Sequence, residues 1–214
     1  MTITLHNFRA GSRVRRMGAI AALGLAASVA PVSAQPLIAP RVWFSGWAGR
    51  FTNLGGFSDG GSNVFYRFDD ATAFGAGVHI AASSGMVAGV DVLYAAPSYE
   101  RFDRDTGAPQ GDGDARAASA LASVRLAGGG GILGLYLSAG AGVFAWDVDD
   151  PELDDGWDLD PALQVAAGLE YSVLPRTRLF AEYGRSWVYH QKDEAVSSNT
   201  ANHTLLRLGV RVGL

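Results

Sequence analysis

The chain has 214 residues, with 17 basic and 21 acidic side chains, a formal charge of −4 and no cysteine. Without cysteine, disulfides, thiol catalysis and thiolate metal sites are excluded. The acidic balance argues against nucleic acid as a partner, and Lys192 as the sole lysine is unusual for a surface bathed in water.

The first 34 residues read as an export signal. Arg9, Arg13, Arg15 and Arg16 make a basic start, "MGAIAALGLAASVA" is uncharged and apolar, and "VSAQ" places the small residues Val32 and Ala34 where a signal peptidase reads them. The apolar stretch is short for a spanning helix. The expectation is a cleaved signal peptide over residues 1–34 and one domain over residues 35–214. Losing four arginines from the 17 basic side chains leaves 13 against 21 acids, a charge of about −8.

Beyond the signal, apolar residues recur at every second position, the period of an extended strand with two unlike faces. The first candidate is "RVWFSGWAGRF" (41–51), whose phase reads acceptably either way. "TAFGAGVHIAA" puts Phe74, Ala76, Val78 and Ile80 opposite Gly75, Gly77 and His79. After "SSG", "MVAGVDVLYA" sets Met86, Ala88, Val90, Val92 and Tyr94 against Gly89 and Asp91. A polar connection (96–115) leads to "AASALASVRLA", with Ala118, Ala120, Ala122, Val124 and Leu126 opposing Ser119, Ser123 and Arg125. "GGGG" precedes "ILGLYLSAGAGVFAW", where leucines 133, 135 and 137 face away from Gly134, Tyr136 and Ser138. An acidic loop follows, then "PALQVAAGLEYSV", "LPR", "TRLFAEYGRSW", a polar loop (188–202), and the closing "TLLRLGVRVGL". That makes eight strands.

Residues 126–146 carry no charge over 21 positions, long enough for a spanning helix. Seven of those positions are glycine, four of them consecutive, and glycine inside a helix costs about 1 kcal/mol each relative to alanine. A turn followed by a strand is the better reading.

Connections alternate long and short, which puts every tight turn at one end of the sheet and every long loop at the other. An even number of antiparallel strands can also close without a free edge. The fold expected is all-β: an eight-stranded antiparallel up-and-down transmembrane β-barrel, with short periplasmic turns, long extracellular loops and both termini on the short-turn side.

The face opposite the Leu, Val and Ala rows is mostly Gly, Ser and Ala. Its charges balance, Asp91, Glu170 and Glu182 against Arg125, Arg207 and Arg211, all in the strand halves nearer the short turns. Facing lipid, each arginine near the midplane would cost roughly 2–4 kcal/mol. These six and His79 are therefore assigned to a narrow lumen as a charge network, with lipid covering the apolar face. Arg185 falls on the apolar phase near a strand's outer end, where a long side chain can snorkel. Trp43, Tyr94, Tyr171 and Trp187 gather near strand ends, as interfacial girdles do.

Signal peptide, eight alternating strands, alternating connection lengths and "LFAEYG" resemble the small eight-stranded outer-membrane barrels: the OmpA transmembrane domain, OmpX and OmpW. That resemblance implies a location in the outer membrane of a Gram-negative cell, with lipid and lipopolysaccharide as surroundings. It also implies recognition of the last strand (Leu206, Leu208, Val210, Val212, Leu214) by the outer-membrane assembly machinery. The family usually ends that strand in an aromatic residue, and here Leu214 stands there. Unlike full-length OmpA proteins the sequence stops at strand eight, which implies no peptidoglycan-binding domain.

The expectation for function is a monomeric, non-enzymatic barrel with a structural or surface-interaction role and a plugged lumen, needing no cofactor. A narrow channel for small solutes is the alternative, and a lipid A-modifying enzyme a remoter one. Deacylase barrels imply a His with Ser two positions on, whereas His79, His190 and His203 are followed there by Ala81, Lys192 and Leu205. Palmitoyltransferase barrels imply a His, Asp and Ser near the outer surface, a set that cannot be told here from ordinary loop residues. No His-Glu-Xaa-Xaa-His motif occurs. In the acidic loop, Asp147, Asp149, Asp150, Asp154 and Asp155 are weak metal candidates for Ca²⁺ or Mg²⁺. Their spacing departs from the EF-hand pattern, so a solvated, self-repelling loop is preferred.

Overall fold

The computed structural model describes residues 42–52, 54, 56–58, 63–83, 85–128, 132–150, 157–189 and 200–214. The expected signal peptide, His190, Asp154 and Asp155 lie outside them. The described residues form eleven strands: β1 (Val42–Thr52), β2 (Gly56–Ser58), β3 (Val64–Phe68), β4 (Ala71–Ala81), β5 (Met86–Ala95), β6 (Ser98–Asp103), β7 (Pro109–Gly128), β8 (Leu133–Val148), β9 (Asp158–Leu174), β10 (Thr177–Tyr189) and β11 (Thr200–Gly213).

Eight of them close into the expected barrel. Each strand pairs antiparallel with its neighbour in the order β1, β4, β5, β7, β8, β9, β10, β11, and β11 returns to β1. Following paired residues once round the wall leads from Val42 through Ile80, Ala88, Val124, Ala139, Val165, Arg185 and Thr204 to Thr52, ten residues further along β1. That stagger is what obliges closed strands to tilt, and eight strands leave a bore just wide enough for side chains to fill. Within the uncharged stretch 126–146, residues 126–128 end β7 and residues 133–146 belong to β8. The termini of the barrel meet at the short-turn end, where Leu214 N–H donates to the Val42 carbonyl at 2.9 Å.

The two faces separate by polarity. Phe74, Leu137 and Leu208 are 58 %, 64 % and 64 % exposed on the outer wall, while His79, Glu182 and Arg207 inside are 1 %, 2 % and 3 % exposed. A water-soluble barrel has the opposite arrangement. β1 takes the phase that turns Trp43, Ser45, Trp47 and Phe51 inward and Phe44, Ala48 and Arg50 outward. Trp43 thus leaves the girdle in which the sequence placed it. It sits beside Gly213, its direct partner on β11, with the Arg178 guanidinium 4.7 Å from its ring centroid. Tyr94 and Tyr171 do face outward, and Arg185 lies on the outer wall 5.8 Å from the ring of Trp187.

The connections between β1 and β4 and between β5 and β7 are not irregular loops. β2 and β3 form one hairpin, β6 and the first residues of β7 another, and the two join as a sheet that continues the wall beyond the barrel. Alternation persists there: Val64, Tyr66, Phe68 and Tyr99 are buried, while Phe65 and Arg67 are exposed. The outward Phe65 hides that period in the sequence. Among the described residues of these connections, a turn follows β6. There Asp103 Oδ1 accepts from Thr106 N–H at 2.8 Å and Asp105 N–H at 3.1 Å, and Gly107 takes φ 69°, open to a residue without Cβ.

Candidate functional site

Strict alternation sends every second side chain of eight converging strands into the bore, so the lumen is built by parity alone. All seven residues assigned to it by sequence, His79, Asp91, Arg125, Glu170, Glu182, Arg207 and Arg211, face the interior and are buried. They form two tiers. In the tier further from the short turns, Asp91 Oδ2 lies 3.0 Å from His79 Nε2 and accepts from Ser123 Oγ at 2.8 Å. Arg207 donates from Nε to Glu182 Oε1 at 2.7 Å, and its Nη1 stands 3.6 Å from Asp91 Oδ1. At the short-turn mouth Glu170 faces three guanidiniums: Arg178 at 2.8 Å, Arg125 at 3.6 Å, and Arg211 in direct contact. The exchange of water for fixed charges of opposite sign is what makes such buried ions tenable.

Aromatic rings hold the guanidiniums from their flat sides. Arg207 lies 4.9 Å from the Trp47 ring, Arg125 4.5 Å from Tyr136, and Arg211 4.1 Å from Phe180. Such contacts are worth about 2 kcal/mol when desolvated. Each ring finds its space over a glycine directly across the ladder: Trp47 over Gly75, Tyr136 over Gly168, Phe180 over Gly209 and His79 over Gly89. A Cβ on any of these glycines would run into the ring.

Above the ions the bore turns apolar. Leu93, Leu121 and Leu205 are buried there, with Gln164 Nε2 donating to Ser186 Oγ at 3.1 Å. Toward the long-loop end an aromatic cluster follows. Phe144 stacks on His203 with ring centroids 5.3 Å apart, Phe51 lies 5.3 Å from the same imidazole, and Trp146 stacks on Phe68 at 4.8 Å.

The acidic loop is partly corrected by the structure. Asp150 is not solvated: its side chain is buried and accepts from Arg101 Nη1 at 2.9 Å and from the Tyr99 hydroxyl at 3.3 Å. Asp147 is within 3.4 Å of Arg116. Asp149 contributes its backbone carbonyl to the Tyr99 hydroxyl at 2.9 Å. Two of the three described metal candidates are thus drawn to arginines on β6 and β7, which the local run of acids gave no hint of. No group of three metal-binding side chains occurs among the described residues. Burial, and then the adjacent Asp150 carboxylate, push the Tyr99 hydroxyl up to about 12.

Sequence reasoning missed Arg178, Tyr136, Ser123 and the ring partners as members of the network. Arg178 shares the parity of Phe180 and Glu182, and its nearness to the "LPR" turn concealed it. The last strand presents Leu206, Leu208, Val210, Val212 and Leu214 on the outer wall and Arg207 and Arg211 inside.

No family model matches this sequence, and no curated protein matches it. Among solved structures, Neisserial surface protein A is similar at 18% identity and a TM-score of 0.52, over 80% of this chain and 96% of that one. Outer membrane protein OprG from Pseudomonas aeruginosa is similar at 11% identity and a TM-score of 0.51, over 82% of this chain and 95% of that one. The chain has the fold of the small eight-stranded outer-membrane β-barrels.

Proposed function

We propose that this chain is a monomeric, non-enzymatic barrel of the bacterial outer membrane, with a plugged lumen and a structural or surface-interaction role carried by its long-loop end. One observation carries the reading: large apolar side chains cover the outside while paired ions and packed rings fill the inside. Such a wall is stable only against hydrocarbon, and a closed ladder leaves no edge unsatisfied there. Lipid is the partner of the belt, and lipopolysaccharide is the neighbour of the long-loop end. The exposed row Leu206 to Leu214 on β11 is what the outer-membrane assembly machinery would read. Support for the plug comes from the burial of Arg125, Glu182, Arg207 and Phe51, each at most 4 % exposed in the bore. The protruding sheet supports the surface role, since it holds Phe65 and Arg67 outward beyond the barrel.

Planar-bilayer recording on the purified protein tests the plug. The expected outcome is small or absent conductance; large stable openings would replace this reading with the narrow solute channel.

A further inference from the structure

At the short-turn mouth the lumen carries more positive charge than its own acids neutralise. Among the described residues Glu170 is the one carboxylate paired with Arg125, Arg178 and Arg211, and Glu182 is committed to Arg207 at 2.5 and 2.7 Å. Two carboxylate oxygens cannot occupy the donors of three guanidiniums, each of which has five N–H groups. The shortfall is visible: Nε of Arg125 and Nε of Arg211 have no hydrogen-bond partner, although the two side chains are only 5 % and 3 % exposed. The three arginines border a cavity of about 30 Å³ together with Trp43 and Glu170, with Val87 and Ala127 closing the apolar side. One water-sized sphere needs about 10–15 Å³, so the space is large enough for a small ion. The arginines cannot easily turn away. Tyr136 and Phe180 cover the faces of Arg125 and Arg211, and Trp43 covers that of Arg178.

We propose that this mouth is a binding site for one small inorganic anion of halide size, held by Arg125, Arg178 and Arg211. The site goes beyond the reading of the barrel as a surface protein, and it is independent of whether the lumen conducts. Its ligand arrives from the short-turn side, where the cavity is partly open.

Trp43 makes the site observable, because its indole borders the cavity and iodide quenches a tryptophan it touches. The barrel, folded in detergent micelles, is titrated with iodide in sodium gluconate at constant ionic strength. The expected result is a saturable quenching phase that chloride displaces and that disappears in Trp43→Phe. In Arg178→Gln, at the most exposed of the three arginines, its midpoint should move roughly tenfold higher in iodide through loss of one charge-assisted donor. Folding of both variants is read from their migration before and after heating. The chlorine NMR linewidth of the unsubstituted protein is a readout that needs no variant: broadening removed by added iodide supports the site. Linear quenching indifferent to chloride, absence of such broadening, or an unchanged midpoint in Arg178→Gln would each overturn it.

Discussion

At the scale of single residues, the most exacting positions are ions that cannot reach water. Arg207 is shared between Glu182 and Asp91, with Trp47 against its face. Glu182→Ala leaves that guanidinium with only the longer contact to Asp91, and the barrel should lose about 3–5 kcal/mol of stability. Arg207→Ala should cost a similar amount, and the double substitution less than the sum, because the partners rescue one another. Urea midpoints in micelles check this, and additive losses would deny the pairing. Asp91, Glu182 and Arg207 were legible as lumenal from parity and opposite sign. Which acid takes which arginine was not, because partners such as Arg207 and Asp91 stand on strands that are far apart in sequence and not adjacent in the wall. Outside the barrel, Tyr99 joins β6 to the chain after β8 through Asp149 and Asp150. Its hydroxyl is held up to about 12, against about 10 in an unfolded chain. Below pH 10 both states keep the proton and the contribution is constant. Between pH 10 and 12 the unfolded state releases it first, so stability falls as pH rises through that window. Near-ultraviolet circular dichroism should show the protruding sheet loosening there, and Tyr99→Phe should remove that step.

At the scale of elements, the strands pair a ring with a hole. Glycine was read from the sequence as the mark of a crowded interior, which it is, but its local purpose appears only with the register. Gly168 stands opposite Tyr136, and a Cβ at that position would meet the tyrosine ring. Gly46, on the outer face of β1, would meet nothing within 4 Å. Gly168→Val should therefore destabilise the barrel by about 1–3 kcal/mol through overpacking, whereas Gly46→Ala should leave it unchanged. Heating curves followed by gel migration separate the two. The same pairing explains why the phase of β1 was ambiguous. Trp43 and Phe44 are both large and apolar, and only the glycines Gly213 and Gly75 across the ladder mark the side on which Trp43 and Trp47 are accommodated. The extensions β3 and β6 were missed because their two faces are not sorted by polarity: Phe65 points outward between buried Val64 and Tyr66 on β3, and on β6 the charged Arg101 shares the parity of buried Tyr99.

At the scale of the whole molecule, function follows from an inverted arrangement of polarity. Leu206, Leu208, Val210 and Val212 on β11 continue a belt made by Val78, Val90, Leu137, Leu169 and Leu179 on other strands. Leu208, near the middle of its strand, is a fair test of what covers that belt. Leu208→Arg should lower stability by roughly 2–4 kcal/mol in a bilayer. Reconstitution into lipid vesicles, with unfolding by guanidinium, measures it; a neutral effect would mean that the belt meets water or protein instead.

What the sequence determined by itself was the set of short-range facts: strand periodicity, the alternation of tight and long connections, and the sign and parity of the lumenal charges. Those are properties of a few adjacent residues, and the barrel follows from them because closure is the way an even meander with a greasy face satisfies its edges. The tertiary structure alone decided the register with its ten-residue stagger, the ring lying over each glycine, and the capture of Asp150 by Arg101. It also decided the crowding of three arginines around Glu170. Each of these depends on residues from separate strands arriving at one height in the bore, and that height is fixed only when the wall closes on itself.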